Sequence, residues 1–287
     1  MLSIAIPVYN HNILPLVERL HREASSLNIS FEILVCDDAS TAVVPNQSIT
    51  RFSHTRFLQN SVNQHVAYTR NRLLQEAQYP WILLLDADVF PQSETFIQTY
   101  IHQRNNGFFF QGGFTYPTKN PTDNQSLRLT YGQTIEQHKH LHSCCNLFFN
   151  QRELQLQFDE TITEYGYEDT LFFLNLAKRE IKVTRLNNPV IHFSTESNQT
   201  YLERSKQACW GLANLIQLGK IQTDEVQLSR IYHQLQHCHF TFVLSIVDTL
   251  LGSYIQRNLL GKKPSMTGFK WFKLLEYHKA SQGIQKS

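Results

Sequence analysis

W-I-L-L-L-D-A-D-V-F, residues 81–90, runs five apolar side chains straight into two acids one residue apart, Asp86 and Asp88. An unbroken apolar run with β-branched and aromatic members suits a strand buried on both faces, as in a parallel sheet. Open α/β sheets bind ligands at the carboxyl ends of such strands. Carboxylates held there are costly to desolvate unless a cation or a donor compensates them. A hard divalent cation carrying phosphate oxygens would do so, because Mg²⁺ takes one or two protein carboxylates and fills its shell with phosphate and water. The alternative at this level is an acidic pair that only caps a loop.

The neighbouring stretches repeat the pattern. S-I-A-I-P-V at 3–8 is a short strand ending in Tyr9-Asn10, and residues 12–28 carry apolar side chains at helical spacing. F-E-I-L-V-C at 31–36 is a second strand, running into Asp37 and Asp38. These three elements predict a βαβ unit with parallel strands. No glycine precedes Gly107, which excludes a glycine-rich dinucleotide loop or a Walker loop after the first strand. A nucleotide bound by this half must be held by side chains and a metal.

Further along, residues 55–58 predict a third strand, 64–78 a helix bearing Arg70 and Arg72, and 93–105 another helix. G-F-F-F-Q at 107–111 predicts a strand ending in Gly112-Gly113, where backbone turns sharply or approaches a ligand. Residues 115–142 are polar and predict a loop or lid. A short strand at 147–149 follows Asn146. Glu168 and Asp169 open a helix, where acids commonly serve the helix dipole. Short strands are expected at 181–185 and 189–193, the second carrying His192, which taken alone suits a hydrogen-bonded core histidine as well as a ligand. Long helices are expected at 198–219 and about 224–260, then a last basic-aromatic helix with Phe269, Trp271 and Phe272.

Composition bounds the function classes. With 26 Lys+Arg against 24 Asp+Glu, the chain has no global footprint for nucleic acid. From Gly252 onward seven basic residues face Glu276 alone, a local +6 that leaves 1–251 near −4. That tail fits either a helix covering the catalytic domain or a peripheral membrane contact. Five cysteines without framework spacing suggest reduced thiols. No signal-peptide pattern opens the sequence, and the most apolar later run, 240–251, falls short of the ~20 residues a spanning helix needs. The expectation is a cytoplasmic protein, with the inner face of a membrane as the variant the basic tail suggests.

Four motifs, P-V-Y-N at 7–10, C-D-D-A-S at 36–40, L-D-A-D-V at 85–89 and Y-G-Y-E-D at 165–169, resemble in order and spacing those of bacterial-type family 2 glycosyltransferases of the GT-A fold, over about residues 1–205. The resemblance implies an α/β, Rossmann-like, mostly parallel central sheet flanked by helices. It divides the chain into a nucleotide-sugar-binding and catalytic domain at 1–205 and a helical C-terminal extension at 206–287. It implies Pro7 and Tyr9 beside the base, Asp38 with Asp37 accepting from it, most often from uracil N3–H, and Arg70 near the diphosphate. L-D-A-D-V matches the D-x-D motif, which puts Asp88, supported by Asp86, on Mg²⁺ or Mn²⁺, with His192 as a further metal or diphosphate contact. Asp169, with Glu168 beside it, matches the general base of the E-D motif, and Gly113 and Asn146 are candidates for orienting sugar hydroxyls.

The implied reaction is hexosyl transfer from a nucleoside-diphosphate sugar, UDP first, to a glycan or lipid-linked acceptor hydroxyl, with inversion, as in polysaccharide biosynthesis. Two departures stand out. The pattern's glycine after D-D is Ala39, and the N-x-G segment before the arginine helix reads Asn63-Gln64-His65. Two rival readings stay open: a non-catalytic glycan- or partner-binding module, and a sugar-phosphate nucleotidyltransferase. The second would want a basic glycine-rich loop after the first strand, which is absent.

Overall fold

The computed structural model describes residues 1–118, 124–139, 142–162, 165–193 and 196–284. In chain order the elements are β1 (Leu2–Val8), α1 (Leu14–Ser26), β2 (Phe31–Asp37), a 3₁₀ stretch (Asn46–Arg51), β3 (Thr55–Gln59), α2 (His65–Glu76), β4 (Trp81–Leu85), β5 (Val89–Pro91), α3 (Phe96–Gln103), β6 (Phe109–Gln111) and β7 (Phe114–Thr115). Then come α4 (Ser126–Tyr131), a π-helical stretch (Gly132–Glu136), α5 (Gln137–Lys139), β8 (Asn146–Asn150), α6 (Gln151–Leu154), α7 (Glu168–Lys178), β9 (Thr184–Arg185) and β10 (Val190–His192). Four helices end the chain: α8 (Asn198–Gln217), α9 (Gln227–His237), α10 (Thr241–Leu259) and α11 (Met266–Ile284).

Two compact units are present. The first comprises Met1–Pro117, Lys139–Thr163 and Phe172–Phe193, and the second Thr118–His138, Glu164–Leu171 and Ser194–Ser287. The first holds a mixed sheet of seven strands among the described residues, in the order β3-β2-β1-β4-β8-β6-β9. β1, β2, β3 and β4 are parallel, and β8 runs antiparallel to both β4 and β6. β1 and β2 are buried along their whole length, as expected of strands covered on both faces. Helices on the two sides close two cores, one around Leu16, Val17, Leu20 and Tyr100, the other around Leu73, Leu74, Phe172 and Phe173. The chain steps from β1 outward to β2 and β3, then returns to β4 on the other side of β1. That reversal makes the carboxyl ends of β1 and β4 a topological switch point, the place where open α/β sheets form their ligand crevice. A small second sheet, β5-β10-β7, begins with β5 just past β4 in sequence and contains His192 on β10.

Several expectations change. The stretch at 115–142 is not a plain loop: its described residues include Thr115 of β7, α4, the π-helical stretch and α5. The strand expected at 181–185 shrinks to Thr184–Arg185. The helix expected over 224–260 is two helices bent by 112°. Its stop is a Schellman motif made without glycine: His239 takes φ 57°, Phe240 N–H donates to Leu235 O at 2.8 Å, and His239 N–H to Gln236 O at 3.0 Å. In the second unit Phe269 and Phe272, of the tail for which both a covering helix and a membrane contact were open, are 1% and 4% exposed and pack with Leu127, Tyr201, Leu202 and Leu259. The last helix therefore covers a core. No single helix among the described residues is long and apolar enough to cross a membrane.

Candidate functional site

The carboxyl ends of β1, β2 and β4 gather most of the expected donor-binding residues in the first unit. Pro7 is buried within β1, and Tyr9, just beyond it, is half exposed. Asn10 turns back at φ 52°, and its side-chain oxygen accepts from Thr41 and Ala42 N–H, both at 2.8 Å. This clamps the loop after β2 onto the loop after β1.

Asp37 and Asp38 are both buried. Asp37 accepts from Ser40 N–H at 2.7 Å, whereas Asp38 accepts from Gln64 N–H at 2.8 Å and from Asn60 Nδ2 at 2.6 Å. Both departures from the glycine pattern fold as if glycine were there: Ala39 has φ 58° and His65 φ 68°. Left-handed backbone costs a non-glycine residue ~1–2 kcal/mol. It persists here because the Asp37 and Asp38 bonds hold the adjoining amides. Cys36 carries no reactive thiolate: burial pushes its pKa up to about 11, against the opposing pull of Arg72.

Arg70, on α2, is 3% exposed and donates to Asp86 Oδ1 at 2.9 Å, with its guanidinium 5.1 Å from the Phe158 ring centroid. Asp86 is thus compensated by an arginine. Two residues on, Asp88 is more open, its side chain 38% exposed, and its Oδ2 lies 3.5 Å from His192 Nε2. The pairing of β5 with β10 brings His192 there: His192 stands opposite Val89, and Phe193 N–H donates to Asp88 O at 2.9 Å. His192 Nδ1 is buried with no hydrogen-bond partner, and the ring packs 5.6 Å from Tyr116.

Among the described residues no three His, Cys, Asp or Glu side chains are placed together as a metal cage. The chemistry of the donors still suits a divalent cation. One open carboxylate beside an imidazole at a strand's carboxyl end matches an ion that arrives with diphosphate oxygens. Asp88 and His192 would hold it, and Asp86 is already engaged by Arg70.

Gly112 and Gly113 form the turn from β6 to β7, Gly113 at φ +80°. Asn146, 1% exposed, supports that turn: its Nδ2 donates to Gly113 O and Asn188 O, both at 2.9 Å, and its Oδ1 accepts from Tyr100 Oη at 2.6 Å. Its polar atoms are engaged within the protein, which makes it a support of the turn. Glu168 and Asp169 belong to the second unit, in the first turn of α7. Gly166 at φ +101° and Tyr167 at φ 68° set up that turn, and a Cβ at Gly166 would fall 2.5 Å from Ala208 Cβ.

The family described as glycosyl transferase family 2 matches residues 3–163, more than half of the chain. The chain belongs to that family. No curated protein sequence matches it. Among solved structures, a mannosyltransferase from Pyrobaculum calidifontis in complex with GDP-Man and Mn²⁺ is similar in fold, at 13% identity and a TM-score of 0.58, over 99% of this chain and 86% of that one. A glucosyl-3-phosphoglycerate synthase from Mycobacterium tuberculosis, in complex with Mn²⁺, UDP and phosphoglyceric acid, is similar at 13% identity and a TM-score of 0.50, over 76% and 78%. The expected GT-A architecture and the expected family are both borne out, and the chain is a glycosyltransferase.

Asn60 and Phe158 were missed from the sequence. Asn60 ends the third strand much as the acids end the others, and it is 5% exposed; its Oδ1 accepts from Arg72 Nη1 at 2.5 Å while its Nδ2 serves Asp38. Its position after a strand was a usable signal. Phe158 sits far along the chain from the arginine it supports, and nothing local marked it.

Proposed function

We propose that this glycosyltransferase moves a hexose from a nucleoside-diphosphate sugar, with UDP as the nucleotide, to a hydroxyl of a glycan or lipid-linked acceptor, inverting the anomeric carbon and depending on Mg²⁺ or Mn²⁺. The observation that carries the donor half is the meeting of Tyr9, Asp38 and the Arg70–Asp86 and Asp88–His192 pairs in the first unit at the sheet's switch point. Solved structures of similar fold that contain GDP-Man or UDP with Mn²⁺ support it.

Tyr9 offers an exposed ring for a base, and Asp38 is the acceptor proposed for it. Asp88 is the proposed carboxylate for the cation, which when bound supplies positive charge to the leaving diphosphate. Arg70 compensates Asp86 and adds positive charge beside it. The role of Asp169 rests on its motif. As general base it takes the acceptor hydroxyl's proton while that oxygen bonds to the anomeric carbon and the bond from carbon to diphosphate oxygen breaks. One displacement opposite the leaving group inverts the centre.

A thermal-shift panel of nucleotide sugars with and without Mn²⁺ tests the donor half, since a ligand at 100 times its dissociation constant stabilises by ~2.7 kcal/mol. A Mn²⁺-dependent response to uridine nucleotides is expected; no response to any nucleotide sugar would overturn it. Asp169→Asn is expected to lower transfer by ~10²–10⁴-fold with donor binding unchanged. Retained transfer would remove Asp169 from the role.

A further inference from the structure

In the second unit, α10 is apolar outside as well as inside: Leu244 and Leu259 are buried, yet large apolar side chains also face outward. Phe242, Ile246, Leu250 and Tyr254 recur every four residues, which places them along one side of the helix, and they are 59%, 50%, 73% and 70% exposed. Leu251, at 49%, and Phe240, just ahead of the helix and stacked 6.4 Å from Phe242, widen the strip. The one acid of the helix, Asp248, is engaged by Lys279 of α11 at 3.0 Å. A helix packed on a core ordinarily turns a polar face outward, and an exposed apolar strip marks an interaction surface.

Charge identifies the occupant. Between Gln227 and Leu275 the basic residues are Arg230, Arg257, Lys262, Lys263, Lys270 and Lys273, and Asp248 is the only acid. Arg257, Lys262 and Lys263 are exposed at and just past the end of α10. A second copy docking on this strip would present the same apolar and cationic surface, and the one acid of the segment, Asp248, is engaged by Lys279. An apolar strip with a cationic end instead complements a bilayer bearing anionic headgroups, with the rings of Phe242 and Tyr254 at the interface. No single described helix is long and apolar enough to span, and α9 and α10, which are so only together, are bent by 112°, so α10 would lie on the surface.

We propose that the outward face of α10 binds an anionic phospholipid membrane peripherally, Phe242, Ile246, Leu250 and Tyr254 inserting and Arg257, Lys262 and Lys263 pairing with headgroups. Flotation of the full chain with phosphatidylcholine vesicles, with or without phosphatidylglycerol, tests this. Binding is expected only with phosphatidylglycerol and should weaken with salt. Ile246→Ser with Leu250→Ser, both on the exposed face, should lower binding more than ~tenfold. Lys262→Glu with Lys263→Glu should lower it by at least ~fivefold for each charge removed. Circular dichroism confirms that each variant is folded. Absence of binding to phosphatidylglycerol vesicles at low salt, binding indifferent to Ile246 and Leu250, or a solution dimer dissolved by the same pair of serines would each overturn the proposal.

Discussion

Replacing Ala39 by glycine should stabilise this protein, although it removes a side chain and loosens the unfolded chain. Ala39 is held at φ 58° directly after Asp38, and His65 at φ 68° directly after Gln64. Each pays ~1–2 kcal/mol for left-handed backbone. Glycine returns ~0.5–1 kcal/mol of that gain as extra entropy lost on folding. From the middle of each range, the net for Ala39→Gly or His65→Gly is then a gain of about 0.75 kcal/mol. At ~2–4 °C per kcal/mol this raises the thermal midpoint by roughly 1.5–3 °C. Ala42 is the control, because it lies in the same loop, is exposed and is not among the left-handed residues. Ala42→Gly should lower the midpoint. Differential scanning calorimetry of the three variants reads the signs directly, and a midpoint lowered by Ala39→Gly as by Ala42→Gly would refute the account of these turns.

Two further outcomes follow from buried polar groups. A Cβ on Gly112 would lie 1.9 Å from Tyr100 Oη, 2.4 Å from Asn146 Nδ2 and 2.6 Å from Asn188 O, so Gly112→Ala should cost ~2–5 kcal/mol by overpacking and lost hydrogen bonds. Adding Tyr100→Phe should recover part of this in urea titrations, and simple additivity would count against the clash. In the second unit, burial holds the His278 pKa below 6.5, and its ring contacts Ser245 Oγ at 3.0 Å and Tyr232 Oη at 3.2 Å. The unfolded chain therefore takes up this proton at a higher pH than the folded one, so the stability present above 6.5 is lost as pH falls through the lower folded value. Thermal midpoints from about pH 8 to about pH 5 should fall less steeply in His278→Gln, and parallel curves would contradict this.

Much of the architecture was legible in the sequence because the first sheet is built from continuous apolar runs. β1, β2 and β4 fall within a residue or so of where those runs stand, and each ends at the expected motif. Short elements were less legible. β7 and β9 have two residues each, too few for a periodicity to show, and what makes them strands is pairing with distant partners. The break between α9 and α10 escaped because its left-handed stop is a histidine, with no glycine or proline to announce it. The sequence left Phe269 and Phe272 open between a covering helix and a membrane contact, because an aromatic beside lysines has the same local pattern whether it faces lipid or a core.

Within the site, motifs named the carboxylates but not their partners. That Arg70 would meet Asp86, and His192 would meet Asp88, depends on α2 and β10 arriving from 16 and 104 positions away. The glycine departures carried a different lesson. Ala39 and His65 keep the left-handed backbone that glycine would favour, because neighbouring hydrogen bonds from Ser40 and Gln64 N–H to Asp37 and Asp38 outweigh the local preference.

In the proposed function, the open carboxylate of Asp88 links a divalent cation to the donor's diphosphate. Titration calorimetry of UDP into the wild type and into Asp88→Ala, each with and without Mn²⁺, tests it most directly. Wild-type affinity should rise with Mn²⁺ by at least ~tenfold, about 1.4 kcal/mol, and that gain should vanish in Asp88→Ala. A variant that keeps the full Mn²⁺ enhancement would contradict the account.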